Sequence, residues 1–115
     1  MNSNDEDMSK DAEIETALSS YKIAYNLCIE HLSPSTPLRL MVALNFALFT
    51  CNVRKIPLLA NRIARQAYDK GMADISSLKG VKYDDSTRIL QMIRDLISEW
   101  QLTMIMVYIY IDNIK

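Results

Sequence analysis

The chain is predicted to be all-α, an antiparallel four-helix array amounting to one domain or less. Three observations point there. Apolar residues recur at spacings of three and four along most of the 115 residues, which is the period of a helix with one buried face. Only two glycines and three prolines are present, too few for the many turns of a β-rich fold. Hydrophobic residues make up 50% of the chain, enough for a core of its own.

The elements follow in order. Residues 1–10 read as a polar, acidic lead-in that is expected to be disordered, because MNSNDEDMSK contains almost nothing to bury. From about Asp11, the positions Ile14, Leu18, Tyr21, Tyr25, Cys28 and Leu32 form one apolar stripe. Ser33-Pro34 ends this helix, since proline disfavours a helical residue before it. Thr36 and Pro37 then suit a cap and a first helical position, and a second helix runs to about Asn52. Its sequence, LRLMVALNFALFTCN, is apolar almost all round, which predicts a buried helix. Asn45 lies in the middle of it. A buried amide needs hydrogen-bond partners, so Asn45 reads either as a clip between helices or as a polar reader on a groove floor.

Pro57 opens a third helix, with Leu59, Ile63, Ala67 and Gly71 on one face and Ala60 and Ala64 allowing close packing; it is expected to end near Asp74 or Ser77. Lys79-Gly80 signals a loop, and Asp84-Asp85-Ser86 reads as the capped start of a fourth helix. That helix turns Ile89, Met92, Ile93, Leu96, Ile97 and Trp100 inward. Residues 11–101 therefore hold the helical domain, and residues 102–115 form an apolar segment that either extends the fourth helix or pairs elsewhere. Leu102–Ile111 is too short to cross a bilayer.

Composition excludes several function classes. A net charge of −1 gives no general electrostatic grip on nucleic acid or an anionic membrane. One histidine and two cysteines without CxxC spacing fall short of a zinc set. Cys28 and Cys51 read as buried thiols, which suits a reducing, cytoplasmic setting. No nucleophile paired with a base, no carboxylate pair on one face and no phosphate-cradling glycine loop is present. The chain is expected to be no enzyme and to have no catalytic residues, cofactor or metal.

Two stretches carry a specific resemblance. PLRLMVALNFALF (Pro37–Phe49) and YDDSTRILQMIRDLISEW (Tyr83–Trp100) are similar to the C-terminal half of 14-3-3 proteins, and Ser19–Pro37 matches more loosely. The resemblance extends over about Ala12 to Trp100. In that family nine antiparallel helices form a cup that holds a phosphoserine or phosphothreonine peptide, and two cups make a dimer. The resemblance implies that this chain corresponds to the last four helices, and that its function is that of a truncated adaptor in signalling. Asn45 matches the asparagine that hydrogen-bonds the peptide backbone. Leu44 and Leu48 match flanking groove positions, Ile89 and Met92 match the apolar wall, and Trp100 matches the tryptophan near the peptide's exit.

The departures from the family pattern are equally specific. Leu96 stands where a second peptide-gripping asparagine is usual, Arg88 replaces an apolar groove residue, and Asn52 replaces a glutamate that orders the basic pocket. The family's phosphate-holding arginines, lysine and tyrosine lie on earlier helices, so by this comparison the phosphate pocket and the dimerisation helices are expected to be missing from the chain. Losing three charge-assisted hydrogen bonds costs roughly 4–9 kcal/mol at about 1.5–3 kcal/mol each. Phosphorylated partners are therefore expected to bind this chain alone weakly or not at all. The alternative is a divergent helical interaction module that binds apolar, non-phosphorylated segments. The exposed apolar face is expected to drive self-association.

Overall fold

The computed structural model describes residues 3–114. It contains α1 (Ser3–His31), α2 (Pro37–Asn52), α3 (Pro57–Asp74), a short 3-10 turn (Ile75–Ser77) and α4 (Gly80–Asn113). No strand occurs among the described residues, and none of the helices is long and apolar enough to cross a membrane.

Two boundaries differ from the sequence expectation, and a third takes one of the two alternatives it left open. Residues 3–10, expected as a disordered lead-in, belong to α1. Asp5 and Glu6 lie in its first turn, where negative charge suits the positive end of the helix dipole; residues 1 and 2 lie outside the described residues. The start of α4 is Gly80, not the Asp84–Ser86 cap. Lys79 takes the extended N-cap conformation, Gly80 turns the chain at φ 65°, and Ser86 bonds elsewhere. At the other end, Leu102–Ile111 continues α4 without a break.

Helix α2 is the hub, packing against α1, α3 and α4, whereas α1 packs on α2 alone among the described helices. The core joins Leu18 of α1, Leu40, Leu44, Phe46, Ala47 and Phe49 of α2, Ile63 and Ala64 of α3, and Ile89, Leu90, Ile93 and Ile97 of α4. Tyr21 stacks on Phe49 with ring centroids 4.8 Å apart, and Tyr25 meets Phe46 edge-on at 5.5 Å. These aromatic pairs seat α1, each adding about 0.5–1.5 kcal/mol beyond its buried area. Burial also raises the Tyr25 hydroxyl pKa above its ordinary value, partly offset by the nearby Arg39. The guanidinium of Arg39 donates to the Leu32 carbonyl at 2.8 Å, satisfying an otherwise open acceptor beyond the last turn of α1.

Gly71 lets α3 pass close to its neighbours. A Cβ there would stand 3.0 Å from Leu90 Cδ2 and 3.1 Å from Leu40 Cδ2. The α2–α3 connection turns at Lys55, which has φ 62°, so that the Ile56 N–H reaches back to the Thr50 carbonyl at 3.0 Å.

Apolar packing sets how close these helices lie, and one polar junction fixes their register. Ser35, between α1 and α2, is fully buried. Its N–H and hydroxyl both donate to Asp74 Oδ2, at 3.1 and 2.7 Å. The equally buried Ser86 donates its hydroxyl to the Ser35 carbonyl. The loop, the end of α3 and the second turn of α4 thus meet at one residue.

The donors from Ser35 hold the Asp74 carboxyl below the ordinary carboxylate range. A depressed folded-state pKa gives stability that is complete above the unfolded-state value, about 3.9, and is lost as pH falls through the folded-state value. The stability difference between wild type and Asp74→Asn is expected to be constant from neutral pH down to about 5 and to close below about 4. Urea denaturation across that range measures it, and a difference independent of pH would contradict the assignment.

Candidate functional site

The backbone extends over 53 × 41 × 19 Å, so the helices form a flat array and not a closed bundle. An array that thin cannot cover every side of an apolar helix. On α2, Leu38, Met41, Asn45 and Asn52 are exposed and Leu48 is half-buried. They succeed one another at intervals of three and four, so they form a single bare stripe opposite the core. On α4, Arg88, Met92 and Glu99 form a second exposed stripe with the half-buried Asp85 and Leu96.

Where the starts of α2 and α4 lie side by side, an open cleft of about 380 Å³ is lined by Pro37, Leu38, Met41, Asp85, Arg88, Ile89 and Met92. The two serines of the Ser35–Ser86 bond lie close by in sequence, two residues before Pro37 and one after Asp85. A second cleft, about 460 Å³, runs between Cys51, Pro57 and Leu58 and the later turns of α4, where Trp100, Met104 and Tyr108 face it. Its walls are mainly apolar, and Cys51 lies on it half-exposed, unlike the buried Cys28. No group of three or more His, Cys, Asp or Glu side chains gathers among the described residues in a way that could hold a metal.

The six candidate residues are divided among these surfaces. Asn45 is exposed, which corrects the expectation of a buried amide. Its side chain has no hydrogen-bond partner among the described residues, so it clips no helices together and its donor and acceptors face outward. The physical reason is the thinness of the array. Helix α2 is apolar all round, yet neighbours cover only part of it.

Met92, expected to point inward, is 48% exposed and lines the first cleft beside Ile89. Ile89 is itself buried, with one edge on the cleft. Leu48 is half-buried on the Asn45 stripe, and Trp100 belongs to the second cleft. Leu44 is only 3% exposed and lies in the core, where it supports the groove from behind instead of facing it. Sequence reasoning passed over Leu38 and Met41. Their spacing from Asn45, seven and four residues, was the available signal.

The sequence pattern of the family described as 14-3-3 protein matches residues 2–101. The chain is 36% identical over 91 residues to the 14-3-3 protein eta of Bos taurus, covering 79% of this chain and 37% of that protein. It is 40% identical over 86 residues to the 14-3-3-like protein RA215 of Solanum tuberosum, covering 75% and 34%. The 14-3-3-like protein F of Nicotiana tabacum is also 40% identical over 86 residues, covering 75% and 33%. The chain thus spans about a third of the length of these curated relatives. With the helical fold and the match over nearly the whole described length, the chain belongs to the 14-3-3 family.

Proposed function

We propose that the chain acts as a non-enzymatic adaptor that holds a peptide segment along the stripes of α2 and α4. In this reading the Asn45 amide bonds to the peptide backbone. Leu48, Met92 and the cleft residues Leu38 and Met41 receive apolar side chains, and Trp100 marks the far end. The observation that carries it is the free Asn45 amide, set in a row of exposed apolar residues. Bare apolar stripes on an otherwise packed helix mark interaction surfaces, and an amide among them supplies direction without charge.

Family membership makes phosphoserine and phosphothreonine peptides the leading ligand class. Phosphate recognition needs converging cations, and of the cationic side chains Arg88 alone lines the α2–α4 cleft. Phosphate dependence in this reading therefore rests on cations beyond Asn45 and its neighbours. A second reading, binding of apolar segments without phosphate, is favoured by the cleft lining itself, in which Pro37, Leu38, Met41, Ile89 and Met92 outnumber the two charged residues. The same surface logic applies to the end of α4. Leu102, Met106, Tyr108, Ile109 and Tyr110 are all more than half exposed, which supports self-association through this segment as part of the proposal. Sedimentation velocity over a range of concentrations tests that part, and a monomer at every concentration would count against it.

Fluorescence anisotropy with matched phosphorylated and unphosphorylated serine peptides tests the groove. Two backbone hydrogen bonds of about 1 kcal/mol each predict that Asn45→Ala weakens binding roughly thirtyfold. Asn45→Asp, which replaces the donor with a negative charge, should weaken the phosphorylated peptide further. Binding that both variants leave unchanged would remove Asn45 from the site. Equal affinity for the two peptides would select the apolar-segment reading.

A further inference from the structure

The segment Ser33-Pro34-Ser35-Thr36-Pro37 carries three hydroxyls, and the fold treats each differently. Ser35 is buried in the polar junction. Ser33 is exposed. Thr36 is half-exposed and makes no side-chain capping bond to α2. Its Oγ1 lies 3.0 Å from Ser33 Oγ at the exposed surface. The usual structural role of a threonine at this position, capping the helix, is therefore unfilled.

The backbone of Thr36 is extended, with φ −61° and ψ 130°, as the residue before a proline prefers. Pro37 follows as the first residue of α2. We propose that Thr36 is a phosphate acceptor for a proline-directed protein kinase. An extended hydroxyl residue followed by a tertiary amide is what such an enzyme recognises, because its site for the following residue takes the ring and requires no N–H. Arg39, three residues on, places a fixed cation within one helical turn. The first turn of α2 contains no acidic residue, so a phosphate here meets the positive end of the helix without an adjacent competitor on that helix. Ser33 also precedes a proline, but it is the poorer acceptor, since the buried Ser35 two residues on is tied to Asp74 and holds Pro34 against the junction.

In the transfer, Thr36 Oγ1 attacks the γ-phosphorus of a nucleoside triphosphate. The new O–P bond forms as the bond to the β–γ bridging oxygen breaks. Nucleoside diphosphate leaves, and the hydroxyl proton passes to the kinase's base. The product adds about −1.5 to −2 charge immediately before Pro37 and Leu38, at the α2 end of the first cleft. The modification thus makes that end of the cleft anionic, whatever ligand the cleft takes.

The test is incubation of the folded full chain with a proline-directed serine/threonine kinase and Mg-ATP, with the phosphate located by tandem mass spectrometry. A synthetic peptide spanning residues 30–42 serves as the positive control for the kinase. The expected result is a single phosphate on Thr36, kept in Ser33→Ala and lost in Thr36→Ala and in Pro37→Ala, with circular dichroism confirming that each variant stays helical. Three results would overturn the proposal: phosphate on the peptide but none on the folded chain, phosphate mapped to Ser33, or incorporation undiminished in Thr36→Ala.

Discussion

Ser35 is the point on which the geometry of this array depends. Hydrophobic contact is non-directional and fixes how much surface two helices share more firmly than where along their lengths they meet. The hydrogen bonds from Ser35 to Asp74 and from Ser86 to Ser35 are directional. They tie the entry to α2, the exit of α3 and the second turn of α4 to one buried serine. With the register set there, Pro37 and Leu38 come to lie opposite Asp85 and Ile89, and the first cleft opens between them. Moving either helix by one turn would leave Ser35 and Ser86 buried without partners, at about 1–3 kcal/mol for each group.

From that register follows the feature that matters for function. Helix α2 contacts all three other helices and still shows the Leu38–Met41–Asn45 row to the outside. A self-sufficient four-helix bundle would close around such a helix and place its polar residues outermost. This array leaves an apolar row bare, with the Asn45 amide set in it and Asn52 two turns further on. The arrangement is expensive unless the row is covered by something for part of its life. In the proposed function that covering is a peptide, which the Asn45 amide would orient. The end of α4 presents the same problem in a stronger form, because its last turns are apolar on every side and packed on few.

Much of this was legible in the sequence. The stripe Ile14–Leu18–Tyr21–Tyr25–Cys28 of α1 and the Leu59–Ile63–Ala67–Gly71 face of α3 follow directly from helical periodicity, and the prolines mark the starts of α2 and α3 to the residue. What escaped was the side of α2 that stays uncovered. Periodicity identifies a polar face by contrast, and α2 offers almost none, so Asn45 read as buried; the groove role of Leu44 came from the resemblance, and the core holds that side chain instead. The outcome depended on how many neighbours surround α2, a property of the whole array. Periodicity turned Met92 inward for the same reason, since an exposed methionine in a groove and a core methionine have the same spacing; the resemblance had set it on the apolar wall. The start of α4 was misjudged because Asp84-Asp85-Ser86 has ideal capping chemistry, yet Ser86 is used in the junction with Ser35.

The central claim is that the bare stripes of α2 and α4 form one ligand surface. The seven methionines make natural reporters, with Met41 and Met92 on the first cleft, Met104 on the second, and Met8 and Met72 away from both. Methyl-labelled methionine NMR of the full chain, titrated with a phosphoserine peptide and with its unphosphorylated twin, reads these positions directly. The account predicts that at least one of the two peptides shifts Met41 and Met92 together while Met8 and Met72 stay still. Shifts confined to Met72 or spread evenly over all of them, or a silent Met41 and Met92 with both peptides, would contradict it.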